Sequence, residues 1–119
     1  KDADRKSVFD ISKEIKELVI RTKAGQLRSE EFIGGSFTIS NLGMYNIDNF
    51  KAILNSPQSS IFAIGKARKV PVVKDDKIVI GNVMNITVSC DHRAIDGSVC
   101  ANVVNRVKYY LENPFKLLI

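Results

Sequence analysis

His92 is the only histidine in this 119-residue sequence. Its unperturbed pKa, about 6.5, lies near neutrality, so a general base working without pKa tuning must be His92. It follows directly on a run with strand alternation, a rigid mount whose tip can face a cleft. An isolated histidine is more often a surface or satisfied core residue, so position alone does not decide the matter. Asp96 follows four residues later, then Gly97. Asp96 suits the N-cap of a helix beginning near Ser98, and the same carboxylate suits fixing the loop or the imidazole. Gly97 permits a sharp turn from loop to helix. Ser40 ends a short strand on its polar face. Its hydroxyl can donate to a developing oxyanion, an interaction whose loss typically raises a barrier by about 2.7–4 kcal/mol. The competing reading of Ser40 is a turn serine bonded to its own backbone.

Other chemistries fit poorly. There is no Gly-x-Ser-x-Gly elbow. Gly65-Lys66-Ala67 lacks the upstream glycine and the hydroxyl of a phosphate loop, and Gly34-Gly35 is not a dinucleotide fingerprint. Asp91, His92 and Asp96 are types that bind metals, but their spacing is not diagnostic and no metal is expected.

The elements that must position these groups are readable from periodicity. Val8, Ile11, Ile15, Leu18 and Thr22 form one helical stripe, with Ser7 as N-cap and Gly25 as stop. Ser36–Ser40 alternates as a short strand with Phe37 and Ile39 on the half-buried face, and Asn41-Leu42-Gly43 is turn chemistry. A short helical turn is expected near Asn49–Leu54. Ile61–Gly65 reads as a buried strand, with Val70–Val73 as its expected partner and Pro71 marking an edge or bend. Lys74–Lys77 is a polar turn, Ile78–Ile80 resumes the strand, and Gly81-Asn82 suggests a bulge or bend. Met84–Cys90 is the clearest strand, with one apolar and one polar face. Cys100, Val103, Val104, Val107, Tyr110 and Leu111 then share a helical face that ends at Asn113-Pro114. The expected class is α+β, one domain over 1–119, with helices packed on a mixed, largely antiparallel sheet.

Composition sets the outer bounds. Apolar residues at 45% and charged residues at 26% are ordinary for a globular domain and argue against disorder. The formal charge of +5 comes from scattered Lys and Arg, which reads as a solvated surface; attraction of a phosphorylated cofactor is the sharper alternative. No aromatic-basic interleaving points to nucleic acid, and no apolar run approaches a membrane span. The charged start Lys1–Lys6 is not a secretory signal. Cys90 and Cys100 form no CxxC pair. Both read as buried free thiols suited to a reducing compartment, with a Cys90–Cys100 disulfide as the weaker alternative.

The run Ser89-Cys90-Asp91-His92-Arg93-Ala94-Ile95-Asp96-Gly97 resembles the Asp-His-Arg-x-x-Asp-Gly signature of the dihydrolipoamide acyltransferases of 2-oxoacid dehydrogenase complexes. Gly34–Met44 resembles the family's second signature. Pro57-Gln58 with Ile61–Gly65 matches a third stretch, and Tyr110–Pro114 resembles the usual C-terminus. The resemblance covers almost the whole chain. It implies the chloramphenicol acetyltransferase-like fold, here as the C-terminal part of a longer catalytic domain that begins upstream of Lys1. It implies that His92 takes the proton from a thiol of coenzyme A or dihydrolipoamide, that Ser40 hydrogen-bonds the tetrahedral oxyanion, and that Asp96 supports the site. It also implies a homotrimer whose subunits share a substrate channel, so that His92 and Ser40 come from different chains. The trimers would build a larger core that binds the decarboxylase and dihydrolipoamide dehydrogenase components. The lipoyl group would ride on a domain outside this chain. The compartment would be the bacterial cytoplasm or the mitochondrial matrix.

The run Ser40–Tyr45 looks most like the pyruvate dehydrogenase version, so acetyl is the expected acyl group, with succinyl or branched-chain transfer as alternatives. Asn46 departs from a glycine common in relatives. A non-catalytic assembly module of the complex is the competing class, and a stand-alone antibiotic acetyltransferase fits the Ser40–Met44 run less well.

Overall fold

Ser7 starts the first helix of the computed structural model, which describes residues 1–117. Its hydroxyl accepts from the Asp10 N–H at 3.1 Å. That satisfies one of the amide donors a helix start leaves without an intrahelical partner. Helix α1 runs Val8–Lys23, and Gly25 follows at φ 68°, a left-handed conformation that carries no Cβ penalty for glycine. Both the expected start and the expected stop are in place. The stripe is less covered than its pattern implies: Ile11 and Leu18 are half-buried, while Val8 and Ile15 are exposed. The last turn of α1 is tied to a short 3-10 turn at Ser29–Glu31. Arg21 grips Glu31 through two bonds of 2.8 and 2.6 Å, and the Arg28 N–H donates to the same carboxylate at 2.7 Å. These donors, the Arg21 guanidinium first, hold the Glu31 carboxyl down to about 2.

The chain divides into two compact units, Lys1–Gly35 and Ser36–Ile119. Among the described residues the second holds five strands and a helix: β1 (Thr38–Asn41), β2 (Ser60–Ile64), β3 (Arg68–Lys74), β4 (Lys77–Val83), β5 (Ile86–Cys90) and α2 (Gly97–Glu112). One sheet has the order β1-β2-β5, with β1 parallel and β5 antiparallel to β2. The other is the antiparallel ribbon β3-β4. The class is the expected α+β, with a mixed, largely antiparallel set of strands.

Register sorts the three-stranded sheet into two faces, because side chains alternate along a strand. Ile39, Phe62 and Val88 share one face, with Cys90 at its end. Helix α2 packs against β5 on that face, where Cys100 meets Cys90. Thr38, Ser40, Ile61, Ala63, Thr87 and Ser89 share the other face. The connector from β1 to β2 covers it: Asn49 bonds the Thr87 hydroxyl at 2.7 Å, and Gln58 bonds the Thr38 hydroxyl at 2.6 Å. Ile61 and Ala63, beneath this connector, are buried. The connector passes so close at Gly65 that a Cβ there would lie 2.1 Å from the Asp48 carbonyl oxygen.

Several expectations are corrected. Thr38 and Ser40 are the half-buried residues of β1, beneath the connector, and Phe37 and Ile39 are exposed on the opposite face, where α2 packs against β5. Phe37 keeps an edge contact with Phe62, with centroids 5.9 Å apart. Asn49–Leu54 forms no helical turn; it has no regular secondary structure, and Asn49 and the Asp48 carbonyl bond β5 and Asn85. Val70–Val73 pairs with β4, not with β2, because Asp75 and Asp76 at φ 51° and 57° close a two-residue hairpin turn. Gly81 is no bulge. It stays in register opposite Val70 and makes room for the Val72 side chain, which would lie 2.7 Å from a Cβ. Strand β5 starts at Ile86 rather than Met84. Cys90 and Cys100 are half-buried rather than buried. On α2, Cys100, Val104, Val107 and Tyr110 are half-buried, while Val103 and Leu111 are exposed. No helix among the described residues is long and apolar enough to cross a membrane.

Candidate active site

The turn that carries His92 is organised by the residue before it. The Asp91 N–H donates to the Ser59 carbonyl at 2.8 Å, which extends the β2–β5 contact one step past the strand. The Asp91 carbonyl accepts from the Ala94 and Ile95 N–H groups at 2.9 and 3.0 Å and closes the turn. The Asp91 carboxylate accepts from the Arg93 N–H at 3.0 Å, and the Arg93 guanidinium adds bonds of 3.0, 3.2 and 2.7 Å. The guanidinium beside it, helped by the backbone donor, holds the Asp91 carboxyl down to about 2. Arg93 is itself 91% exposed, so the pair acts through geometry more than through energy. His92 therefore stands at the tip of a pinned turn, exposed to solvent.

Sequence reasoning passed over Asp91 as an organiser. The signal was available: an aspartate whose side chain bonds the backbone two residues on is a common turn-former.

Asp96 occupies the N-cap position of α2, as expected, but its carboxylate makes no capping bond. Its carbonyl accepts from the Cys100 N–H at 3.0 Å. Gly97 is the first residue of α2 and has no left-handed backbone. Asp91, His92 and Asp96 do not gather as a metal-ligating group.

Ser40 is half-buried and sits in a row with Ala63 and Thr87 across the sheet. The loop after it is well held. The Leu42 N–H donates to the Ile64 carbonyl at 3.2 Å, and the Asn41 side chain accepts from the Gly43 N–H at 2.9 Å. A 3-10 turn at Gly43–Tyr45 ends on Asn46 at φ 65°. Asn46 thus has a left-handed backbone, a conformation in which asparagine is among the better tolerated side-chain-bearing residues. Its amide oxygen accepts from the Lys66 ammonium.

The register that places Ser40 also separates it from His92. Thr87, in the Ser40 row, lies three residues before Cys90, and Cys90 pairs with Ser60 at the far end of β2. A groove of about 490 Å³ lies between the Asn82–Ile86 segment and Val104, Val107 and Leu111 of α2. None of His92, Asp96 or Ser40 lines it.

Known proteins resemble this chain over its whole length. The family model described as 2-oxoacid dehydrogenases acyltransferase (catalytic domain) matches residues 1–119. A relative from Rickettsia prowazekii, named the dihydrolipoyllysine-residue acetyltransferase component of pyruvate dehydrogenase complex, is 48% identical over 119 residues. That match covers 100% of this chain and 29% of the relative. A protein of the same name from Zymomonas mobilis is 45% identical over 118 residues, 99% of this chain and 27% of the relative. The chain thus spans under a third of the length of these relatives. Among solved structures, a probable dihydrolipoamide acetyltransferase from Listeria monocytogenes superposes with a TM-score of 0.91 at 33% identity, over 95% of this chain and 48% of that one. The dihydrolipoamide acetyltransferase of Azotobacter vinelandii superposes with a TM-score of 0.93 at 28% identity, over 100% of this chain and 49% of that one. By the family match and these relatives, the chain belongs to the acyltransferase catalytic-domain family of the 2-oxoacid dehydrogenases.

Proposed function

We propose that this chain is the C-terminal part, residues 1–119, of the catalytic domain of a dihydrolipoamide acetyltransferase, moving acetyl groups between dihydrolipoamide and coenzyme A within a pyruvate dehydrogenase complex. The observation that carries the residue roles is one of spacing. In the Azotobacter vinelandii protein, a serine, a histidine and an asparagine have been investigated for their role in the catalytic mechanism. Its serine and histidine are 52 positions apart, and its asparagine follows the histidine by four. Ser40 and His92 are separated by the same 52 positions, and Asp96 follows His92 by the same four.

In this reading His92 accepts the proton of the attacking thiol, whose ordinary pKa near 8.5 leaves little thiolate at neutral pH. The sulfur adds to the thioester carbonyl, and the oxygen takes on negative charge. Ser40 donates its hydroxyl hydrogen to that oxygen. Collapse expels the other sulfur, which takes the proton back from His92. No acyl-enzyme forms, because both thiols meet in one channel. Asp96 supports the turn between His92 and α2. The separation of Ser40 from His92 along the sheet supports a channel between subunits of a homotrimer, His92 from one chain and Ser40 from its neighbour. The core so built binds the pyruvate decarboxylase and dihydrolipoamide dehydrogenase components, in the bacterial cytoplasm or mitochondrial matrix.

The test is acetyl transfer from acetyl-coenzyme A to dihydrolipoamide, with the full-length protein that carries this chain and its His92→Ala variant. Turnover lost in the variant, with thermal unfolding unchanged, is the expected result. His92 is exposed, so the fold does not depend on its side chain. Equal turnover in both would overturn the role of His92, and no turnover in either would favour a core that only assembles.

A further inference from the structure

Cys90 is the last residue of β5, and Cys100 lies in the first turn of α2. Their sulfur atoms are 2.7 Å apart. Both are free and half-buried. Between them runs the whole His92 turn, Asp91 to Asp96, and the start of the helix. A disulfide bond is about 2.05 Å long, so closure asks the sulfurs to approach by roughly 0.6 Å. That is within the play of two side chains.

We infer that Cys90 and Cys100 are a modification site: a reversible disulfide, made by exchange with a low-molecular-weight disulfide such as glutathione disulfide, that clamps the His92 turn to helix α2. The step balances. One cysteine loses its proton, and its sulfur displaces one thiolate from the small disulfide, giving a mixed disulfide and one released thiol. The second cysteine sulfur then attacks the protein sulfur of that mixed disulfide and displaces the second small thiolate. Two protein S–H groups are consumed, two small thiols are released with their protons, and the small disulfide is the oxidant. Burial, and then the contact with Cys100, pushes the Cys90 thiol up to about 11. The thiolate is the attacking species, so whichever sulfur loses its proton makes the first displacement, and its partner makes the second, now intramolecular.

The bond closes a ring over residues 90–100 that contains His92, Arg93 and Asp96. In the reduced chain the turn is held at its start by Asp91, while the Asp96 side chain adds no capping bond at its end. The disulfide would supply a second anchor on that side. In a reducing compartment such a bond is transient and responds to the thiol–disulfide balance.

The sequence makes the test direct, because Arg93 lies between the cysteines and no Lys or Arg interrupts Ile78–Asp91 or Ala94–Asn105. The full chain is incubated with glutathione disulfide, run without reductant, and the monomer is digested with trypsin. The expected product is Ile78–Arg93 joined to Ala94–Arg106, lighter by two hydrogens than the separate peptides, released by dithiothreitol and absent from Cys100→Ser. Amide exchange across Asp91–Asp96 should slow by about tenfold or more in the oxidised chain, as expected when local opening is restrained. Single glutathione adducts without the joined pair, or bonds only between chains, would overturn the site. A joined pair with unchanged exchange would overturn the clamp. None of these readouts depends on acetyl transfer.

Discussion

Ser40 and His92 stand at opposite ends of the three-stranded sheet. Ser40 is in row with Ala63 and Thr87, and the chain leaves β5 at Cys90, three residues further on, before reaching His92. That is about 10 Å along the strands and about 10 Å across two strand spacings, well beyond one hydrogen bond. If both groups act on one reacting carbonyl, as proposed, a single chain does not bring them together there. In a closed trimer with head-to-tail contacts, each channel can take one group from each neighbour. His92→Ala and Ser40→Ala variants of the full-length protein, each nearly inactive alone, should regain activity when unfolded together and reassembled. Random mixing leaves about a quarter of the interfaces with both wild-type groups, so recovery near that fraction is expected for a cyclic assembly. Zero recovery in mixed trimers, verified by mass, would return both groups to one chain.

The Asp91–Arg93 pair has a pH signature. The Asp91 carboxyl is held at about 2 in the folded chain, chiefly by the Arg93 side chain, against about 3.9 for an unperturbed aspartate. Its pKa is lower in the fold, so its contribution to stability is fully present above about pH 4 and is lost as pH falls toward 2. Carboxyl carbon NMR of Asp91 should show its midpoint near 2, and Arg93→Ala should move that midpoint up toward 3.9. Glu31, held at about 2 by Arg21 and Arg28, serves as an internal control that the variant leaves alone. A midpoint unmoved by Arg93→Ala would show that the backbone donor alone sets it.

The parts of this molecule that were legible in the sequence are those with local causes. Ser7, the α1 stripe and Gly25 carry their own start and stop chemistry, and β5 with the Asp96 helix start could be read from a change of period. Pairing was not legible, because it is a tertiary choice. Val70–Val73 looked like a mate for Ile61–Gly65 until the Asp75-Asp76 turn claimed it for β4. Which face of β1 turns inward was misread for the same reason: alternation tells the two faces apart but does not say which one a connector will cover. At the candidate site, residue types alone left the roles of His92, Ser40 and Asp96 open, and it was the family resemblance that singled them out. The distance between the first two follows only from register, and the role of Asp91 was hidden by its more conspicuous neighbour.

Asn46 offers a test of the loop after Ser40. At φ 65° a side chain with a branched Cβ meets the following carbonyl, which costs about 1–2 kcal/mol, whereas glycine is free of that clash. Asn46→Val should therefore destabilise the chain by about that much in urea unfolding. Asn46→Gly should stay within about 0.5 kcal/mol, the lost Lys66 bond being exposed and offset by the relaxed backbone. Equal destabilisation by both would mean that the bond to Lys66, not the backbone, holds the turn.

Asp96 is the residue whose role the geometry narrows most. It stands at the N-cap of α2, yet its carboxylate caps nothing, and its carbonyl holds the first helical bond to Cys100. Any residue supplies that carbonyl. The Azotobacter vinelandii protein has an asparagine at the same spacing from its histidine, which removes the charge and keeps the size and one acceptor oxygen. If Asp96 acts through a hydrogen bond made in the assembled channel, Asp96→Asn should lower transfer by less than about tenfold, and Asp96→Ala by clearly more. Thermal stability should barely differ between the two, because neither removes a capping bond. If instead the negative charge is required, Asp96→Asn and Asp96→Ala should fall together. The ratio of the two rates in the full-length protein, measured beside their unfolding temperatures, separates charge from hydrogen bonding.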